Sequence, residues 1–265
     1  MLPKISVITP SLNSGKFIES AILSIIDNDY KNVECLVIDG KSSDNTLDIL
    51  KRYVKKIIWV SEKDKGSGDA INKGLAKATG DIISVLCADD TLEVGCLSKV
   101  AKHFMGNTSV QWIYGKCDVR NEDDVEIHKF ITWYRTFWQK RYNYNILLTL
   151  DFIAQPAVFW RREVMKEMGL WENKLGIGGD YEYWLKLGAK YKPAFINETL
   201  AHYRWHSDCK SNNYFARDAK IALENSKYYS ELSHHKFLLP LQYLNYFSVV
   251  GYYSLLKLLQ GGKRI

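Results

Sequence analysis

Short apolar runs alternate with amphipathic stretches over the first hundred residues of the chain. Four runs rich in β-branched residues predict strands at 5–9, 33–38, 57–60 and 82–86. The stretches between them carry apolar residues at helical spacing and predict helices at 17–26, 46–53 and 70–78. Strands that alternate with helices are typical of an α/β protein with a mainly parallel sheet, which binds ligands at the carboxyl ends of its strands.

The remainder of the chain has a less regular pattern. It predicts strands at 110–114 and 157–160, a helix that begins near Asp180, and amphipathic helices from about residue 214 onward. No internal repeat or flexible linker separates these elements. We therefore expect two halves that share one sheet, followed by a helical segment, with boundaries at 1–105, 106–211 and 212–265.

Composition narrows the classes of function. The net charge of +6 comes from basic residues that are spread along the chain, so nucleic acid is not an expected partner. Five cysteines without a C-x-x-C pair, and an N-terminus without a signal-peptide pattern, favour a cytoplasmic protein. The apolar stretch at 237–259 is interrupted by Gln242, Asn245, Ser248 and Lys257, which argues against a transmembrane helix.

Polar clusters follow each of the first four predicted strands. They lie at 9–13, at Asp39, at 64–72 and at Asp89-Asp90. The glycine loops that bind phosphate in dinucleotide and P-loop enzymes are absent from the sequence. Paired carboxylates can instead hold a divalent cation that bridges two phosphates. An isolated acidic pair more often begins a turn, but four clusters at one sheet edge favour a binding site.

These clusters resemble the motifs of the family 2 glycosyltransferases, which have the GT-A fold, over about residues 4–211. The matching segments are SVITPSLN (6–13), VIDGKSSDNT (37–46), SEKDKGSGDAINKG (61–74), ATGD (78–81), ADD (88–90) and GDYEYW (179–184). The resemblance implies a sugar-nucleotide-binding first half, an acceptor-binding and catalytic second half, and C-terminal amphipathic helices. It further implies that a sugar is transferred from a nucleoside-diphosphate donor with inversion at the anomeric carbon.

The resemblance also implies which residues bind the donor. An aspartate that accepts from a ring N–H suits uracil or thymine, so Asp39 predicts a UDP-sugar as the donor. Lys65 is expected near the diphosphate, whereas a solvated loop lysine is the simpler alternative. The full set of predicted donor-binding residues is Thr9, Pro10, Leu12, Asn13, Asp39, Lys65, Asp69, Asn72 and Asp89.

The acidic motif of the family implies a bound Mn²⁺ or Mg²⁺. Its first acidic position falls on Ala88 in this chain, so fewer direct ligands are expected. Asp90 is the predicted metal ligand, and Asp89 is placed nearer the ribose or the metal. The segment HYRWH at 202–206 resembles the part of the family in which a histidine or an arginine meets the metal or the diphosphate. His206 is favoured over His202.

Inversion requires a base that takes a proton from the acceptor hydroxyl on the face opposite the leaving group. Asp180 holds the corresponding position of the family's second acidic motif, with Glu182 as the alternative base. If Asp180 has only a structural role, it caps the helix that begins there. The predicted consequence of Asp180→Asn is loss of transfer with nucleotide affinity retained.

Acceptor recognition is the least defined part of the prediction. Gln155, Trp133 and Trp138 are the candidates, the two tryptophans lying in an aromatic and basic segment at 129–144. A glycan or polyprenyl-linked acceptor and peripheral attachment to a membrane are expected from this segment and the apolar C-terminus. The alternatives are a sugar nucleotidyltransferase and a protein that binds sugar nucleotides without catalysis.

Overall fold

One sheet runs through both halves of the chain in the computed structural model, which describes residues 2–171, 179–207 and 209–259, without the side chains of 210–215 and 256–259. Within these residues the sheet has nine strands. They are β1 (Ile5–Ser11), β2 (Val33–Asp39), β3 (Ile58–Ser61), β4 (Ile82–Val85), β5 (Thr91–Leu92), β6 (Trp112–Arg120), β7 (Glu126–Ile127), β8 (Val158–Arg161) and β9 (Ala194–Arg204).

The spatial order of the strands is β3-β2-β1-β4-β8-β6-β9-β5, with β7 paired to β6. The first four strands in this order are parallel, and β6 is parallel to β9. β8 runs antiparallel between β4 and β6 and thereby joins the two halves. The carboxyl ends of β1, β2, β3 and β4 therefore meet at one edge, as the alternating sequence pattern predicted.

Helices cover the sheet and extend beyond it. In the described residues they are α1 (Ile18–Ile26), α2 (Thr46–Arg52), α3 (Ser67–Lys77), α4 (Cys96–Gly106), α5 (Lys129–Gln139), α6 (Tyr144–Leu147), α7 (Met165–Met168), α8 (Gly179–Lys190), α9 (Lys210–Leu232) and α10 (Leu239–Leu259). Two apolar clusters, one on each face of the sheet, form the core. Both faces are buried, which explains why the parallel strands are apolar at nearly every position.

Several elements differ in their bounds from the sequence prediction. β1 continues to Ser11, so Pro10 lies inside the strand and not in the loop after it. β4 ends opposite Ile8, so on that side of β1 the missing N–H of Pro10 costs no ladder bond. β6 is also longer than predicted, because its polar second half pairs with β9. The segment at 129–139, for which no regular element was predicted, is the helix α5.

The C-terminal helices pack against the second half of the chain. The buried side chain of Gln242 on α10 donates from Nε2 to the Ser230 hydroxyl of α9 at 2.6 Å and to the Leu148 carbonyl at 2.9 Å. A polar residue that interrupts the apolar stretch thus fixes α10 to the body of the protein. Over the part of the chain that is described, none of the helices combines the length and hydropathy needed to cross a bilayer.

Candidate active site

The loops that follow β1 and β2 are tied together by side chains. Asp39, at the end of β2, is fully buried, and its Oδ2 accepts from the backbone N–H groups of Lys41 and Ser42, both at 3.0 Å. The Ser61 hydroxyl at the end of β3 donates to the same oxygen at 2.6 Å. The Asp39 side chain therefore links the ends of β2 and β3, and the base contact predicted for it stays a prediction.

The β1 loop reaches its conformation through Asn13. This residue has a φ of 50°, in the left-handed region that asparagine tolerates better than most residues. Its Oδ1 accepts from the Ser43 N–H at 2.8 Å, and its own N–H donates to the Ser42 hydroxyl at 2.7 Å. Leu12 is 57% exposed beside it, whereas Thr9 and Pro10 are buried in β1. Of the predicted donor-binding residues in this segment, Leu12 and Asn13 are thus the ones that face solvent.

The third polar cluster is at the start of α3. The carboxylate of Asp69 accepts from the Lys65 N–H at 3.1 Å and pairs with Lys73 at 3.4 Å, while the side chain of Lys65 extends into solvent. Asn72 lies one turn further on, and its amide exchanges two hydrogen bonds with the backbone of Trp171, at 2.9 and 2.8 Å. Asn72 therefore connects α3 to the second half of the chain, and its contact with the donor stays a prediction.

A tight turn after β4 carries the acidic pair. The Asp90 N–H donates to the Cys87 carbonyl at 3.1 Å, which folds residues 87–90 back on themselves. One ligand atom each from Cys87, Asp89 and Asp90 then lies within 4.8 Å of the other two. The two carboxylates differ in environment, since Asp90 is 1% exposed whereas the side chain of Asp89 is 31% exposed.

The end of β9 closes over this turn. Arg204 donates its backbone N–H to Asp90 Oδ1 and its Nε to the Asp89 carbonyl, both at 2.9 Å. His206 Nε2 lies 3.2 Å from Asp89 Oδ2, and its ring packs on Phe17 with centroids 4.8 Å apart. The structure therefore brings His206, as predicted, to the acidic pair. No spacing in the sequence indicated the bonds from Arg204 or the packing on Phe17.

His202, the alternative histidine, lies in a separate cluster. Its Nδ1 is 2.5 Å from Asp118 and its Nε2 is 3.2 Å from Glu93. Both ring nitrogens thus face carboxylates that join β5, β6 and β9. Hydrogen bonds and charge from His202 and Arg120 hold the pKa of Asp118 below its usual range, although burial opposes them. His202 therefore has a structural setting, which agrees with the preference for His206.

The electrostatics of the acidic turn fit a divalent cation. Burial and the neighbouring Asp89 carboxylate raise the pKa of Asp90 well above its usual value, and the N–H and the charge of Arg204 only partly oppose this. A buried carboxylate beside a second carboxylate is unfavourable without a positive charge between them. A bound cation would provide that charge. Its ligands could be oxygen, sulfur and nitrogen atoms of Asp89, Asp90, Cys87 and the adjacent His206.

A second acidic pair lies in the other half of the protein. Asp180 is at the first turn of α8, and burial raises its pKa against the N–H of Tyr181 and the charge of Arg135. Asp151, which the sequence analysis did not identify, interacts electrostatically with Asp180. Surrounding protein and the Asp180 carboxylate raise the pKa of Asp151 to about 7, whereas Arg135 lowers it. Asp151 is nevertheless exposed to solvent.

Arg135 lies near the second acidic pair, where its positive charge lowers the pKa of both Asp151 and Asp180. Glu182, the alternative base, is 8% exposed and lies 3.5 Å from Lys186 and 3.4 Å from the Tyr229 hydroxyl. Asp180 therefore has the more suitable environment for a base, with a raised pKa and a second carboxyl beside it.

The three predicted acceptor residues lie in different settings. Gln155 donates to the Val85 carbonyl at the end of β4 and accepts from the Cys87 thiol at 3.3 Å, so it adjoins the acidic turn. Trp133 on α5 is 60% exposed. Trp138 is half-buried and packs against the second core cluster, so core packing explains why an aromatic residue lies there. Of the two tryptophans, Trp133 is the one that presents its ring to solvent.

Comparison with known proteins decides the family. The family model described as "Glycosyl transferase family 2" matches residues 6–169, which is more than half of the chain. The chain belongs to glycosyl transferase family 2. The protein is therefore a glycosyltransferase, and the two alternatives, a nucleotidyltransferase and a non-catalytic binding protein, are set aside.

Relatives of this glycosyltransferase include proteins of bacterial glycan synthesis. It is 29% identical over 217 residues to the Bacillus subtilis (strain 168) protein named "Putative teichuronic acid biosynthesis glycosyltransferase TuaG", covering 80% of this chain and 82% of that protein. It is 31% identical over 129 residues to the GalNAc(5)-diNAcBac-PP-undecaprenol beta-1,3-glucosyltransferase of Campylobacter jejuni, covering 47% of this chain and 41% of that protein.

Solved structures confirm the GT-A fold of this glycosyltransferase. TarS 1-349 of S. aureus, in complex with UDP-GlcNAc, superposes with a TM-score of 0.67 at 20% identity, over 92% of this chain and 73% of that chain. The mannosyltransferase PcManGT from Pyrobaculum calidifontis, in complex with GDP-Man and Mn²⁺, gives a TM-score of 0.66 at 16% identity, over 97% and 81%. The predicted fold class, including the C-terminal helices, is therefore confirmed.

Proposed function

We propose that this glycosyltransferase moves a sugar from a UDP-sugar to a glycan or polyprenyl-linked glycan, with inversion at the anomeric carbon. The observation that carries the proposal is the meeting of four loops at one sheet edge. Asp39 links the ends of β2 and β3, and Asn13 links the β1 loop to the β2 loop. The turn after β4 presents Asp89 beside His206. That edge is where parallel α/β sheets bind nucleotides.

Uracil is the base that the β1 and β2 loops suit best. Leu12 offers an exposed apolar surface to one face of the base. Asp39, whose Oδ1 accepts from the Ser42 hydroxyl in this structure, would accept from the ring N–H. TarS, which shares the fold, was crystallised with UDP-GlcNAc. Thr9, Pro10, Asn13, Asp69 and Asn72 complete the proposed donor site, with Lys65 near the diphosphate.

A Mn²⁺ or Mg²⁺ ion is the proposed cofactor. Asp89, Asp90 and His206 would hold it, with the exposed carboxylate of Asp89 as the principal ligand and the buried Asp90 behind it. This order reverses the sequence prediction, because Asp90 is engaged by the backbone of Arg204. Such an ion neutralises the charge that develops on the leaving nucleoside diphosphate.

Asp180 is the proposed catalytic base. Its raised pKa makes its carboxylate a stronger proton acceptor than an ordinary aspartate. The acceptor oxygen would attack the anomeric carbon as its proton passes to Asp180, while the sugar–phosphate bond breaks on the opposite face. Arg135 lies close enough to act on both Asp180 and Asp151 and to keep the pair from holding two protons.

A lipid-linked acceptor is favoured by the exposed aromatic residues of α5 and by the apolar outer surface of α10. Phe130 and Trp133 on α5 are 64% and 60% exposed, and Gln155 lies at the acidic turn where an acceptor hydroxyl would approach. The Campylobacter relative is named for an undecaprenol-linked substrate. We therefore propose peripheral attachment to the cytoplasmic face of a membrane, where nucleotide sugars are available.

Thermal-shift screening tests the donor. The protein is heated with UDP-, dTDP- and GDP-sugars, each with and without Mn²⁺. We expect UDP-sugars with Mn²⁺ to give the largest rise in melting temperature, because base and diphosphate contacts then act together. An equal rise with GDP-sugars would contradict the uracil assignment.

The base and the stereochemistry are tested on the identified donor. Asp180→Asn should retain the thermal shift with UDP-sugar and lose transfer to the acceptor. Asp118→Asn is a suitable control, because Asp118 lies in the separate His202 cluster. NMR of the fresh product should show an anomeric configuration opposite to that of the donor; the same configuration would rule out single displacement.

A further inference from the structure

The thiol of Cys87 lies in the acidic turn, where the sequence analysis considered carboxylates alone. Cys87 lies two residues after Val85, the last residue of β4, and the turn closed by its carbonyl brings its side chain close to those of Asp89 and Asp90. Its Sγ and one oxygen of each carboxylate lie within 4.8 Å of one another. A metal held by the two aspartates would therefore meet a sulfur atom as well.

Sulfur changes which cations such a site prefers. Mg²⁺ and Mn²⁺ favour oxygen ligands, whereas thiolates favour softer cations such as Zn²⁺ and, among spectroscopic probes, Co²⁺ and Cd²⁺. Metal–sulfur bonds of about 2.3 Å and metal–oxygen bonds of about 2.1 Å place the two ligand atoms ~3.5 Å apart. The ligand atoms of the cluster, which lie within 4.8 Å of one another, would have to move closer together to reach this spacing. His206, 3.2 Å from Asp89, adds a nitrogen ligand that softer cations also accept.

We infer that Cys87 is a direct ligand of the metal, and that this glycosyltransferase binds thiophilic divalent cations more tightly than Mg²⁺. The inference rests on the metal site of the proposed function. On binding, the thiol proton leaves to solvent and a metal–sulfur bond forms. Gln155 then loses the thiol as a donor to its Oε1, while its Nε2 keeps its bond to the Val85 carbonyl.

Titration with Co²⁺ alone tests the ligand without any turnover. The full chain should develop a sulfur-to-cobalt charge-transfer band in the near ultraviolet. Cys87→Ser should remove that band and weaken Cd²⁺ binding at least ~10-fold, since even supporting residues of metal sites commonly contribute that much. Cys87→Asp should also lack the band and should bind Mn²⁺ more tightly than the wild type, because its ligands are then harder.

Cys117→Ser is the matched control. Cys117 is buried on β6 and interacts electrostatically with Asp90, yet its thiol donates to the Asp118 carbonyl and lies outside the cluster. This variant should keep the cobalt band. A wild-type protein without the band, or a band that survives Cys87→Ser, overturns the inference.

The outcome is separable from the test of the proposed function. If UDP-sugar turnover requires Asp89 but no cobalt band forms, the function stands and Cys87 is not a ligand. If the band forms and disappears in Cys87→Ser while no sugar nucleotide is turned over, the ligand assignment stands and the function does not.

Discussion

The ionised carboxylate of Asp90 destabilises the folded protein. Its carboxyl is buried beside Asp89, and its raised pKa means that the charged form is less stable in the folded protein than in the unfolded chain. Stability therefore falls as the pH rises through the unfolded pKa of an aspartate towards the higher folded value. At neutral pH the metal-free protein carries this cost, which a bound cation would offset.

Asp90→Asn should therefore stabilise the metal-free protein. An amide keeps an oxygen for the N–H of Arg204 while removing the buried charge. We expect the free energy of unfolding in EDTA at pH 7 to rise by about 1 kcal/mol, and the stabilisation by Mn²⁺ with UDP to be reduced. Urea unfolding with and without EDTA measures both effects. A lower stability of the variant in EDTA would show that the carboxylate is favourable where it lies.

The pair formed by Asp151 and Asp180 should govern the pH dependence of transfer. The pKa of Asp151 is raised to about 7 and that of Asp180 is also raised, so below neutral pH the pair retains a proton. Because Asp180 must be charged to accept a proton, kcat/KM should rise with pH and level off above the pKa of the pair. Measuring kcat/KM against pH with saturating metal tests this rise, which forms the acidic limb of the pH profile.

Asp151→Asn tests how far the carboxyl of Asp151 influences the ionisation of Asp180. Removing one like charge makes Asp180 easier to ionise, so the acidic limb should move to lower pH by about one unit. Asp118→Asn provides the comparison, because its carboxylate is paired to His202 away from this pair. A limb that keeps its position in Asp151→Asn would mean that the carboxyl of Asp151 does not influence the base.

At the scale of elements, Glu34 joins three parallel strands. It lies at the start of β2 with its side chain 5% exposed, and it accepts from Lys4 and Ser6 at the start of β1 and from Thr79 just before β4. Although burial opposes them, these hydrogen bonds lower the pKa of Glu34 from 4.5 to about 2. The carboxylate therefore fixes the amino ends of the strands whose carboxyl ends form the site.

Glu34→Gln should lower the free energy of unfolding by about 3 kcal/mol at pH 7, because a pKa lowered from 4.5 to about 2 corresponds to roughly that much stabilisation. The lowered folded pKa means that this contribution is complete above pH 4.5 and is lost as the pH falls towards 2. The difference between wild type and variant should thus shrink below pH 4.5. Asp48→Asn, at an exposed pair with Lys51, should change stability by less than ~0.5 kcal/mol.

The elements of the first half were predictable from the sequence because each has a simple pattern of apolar and polar residues. Buried parallel strands are apolar throughout, and the helices between them show one apolar face, so β1, β2, β3 and β4 were placed in order. The extension of β1 through Pro10 was not predictable, because it depends on where the neighbouring strand β4 stops.

The parts of the site that were missed depend on contacts between distant segments. His206 meets Asp89 across 117 residues, and Arg204 reaches the same turn from β9. Asp151 lies between α6 and β8 without regular structure, so no period pointed to it. Cys87 was overlooked because the acidic motif was aligned on Ala88, whereas the turn brings the side chain of the residue before it into the cluster.

For the molecule as a whole, α5 and α10 place exposed apolar residues beside the site. Trp205, next to His206, stacks on Tyr253 of α10 at 6.3 Å and contacts His128, the residue before α5, at 5.3 Å. The two helices therefore border the end of β9. Leu241, Leu244 and Leu255 are more than half exposed and recur along the outer side of α10, where the described part of the helix carries no acidic residue. A lipid surface could cover this side and bring a lipid-linked acceptor to Asp180.

Binding to liposomes should therefore depend on α10. We expect sedimentation with vesicles that contain anionic lipid, weakened about 10-fold by Leu244→Ser and by Phe247→Ser, since each removes an exposed apolar side chain from the membrane. Val94→Ser is the matched control, because Val94 is 76% exposed but precedes α4, on a different part of the chain. Equal loss in all three variants would indicate general stickiness. Failure of the wild type to sediment even at low salt would remove the membrane from the proposal, and the acceptor would then have to reach Asp180 from solution.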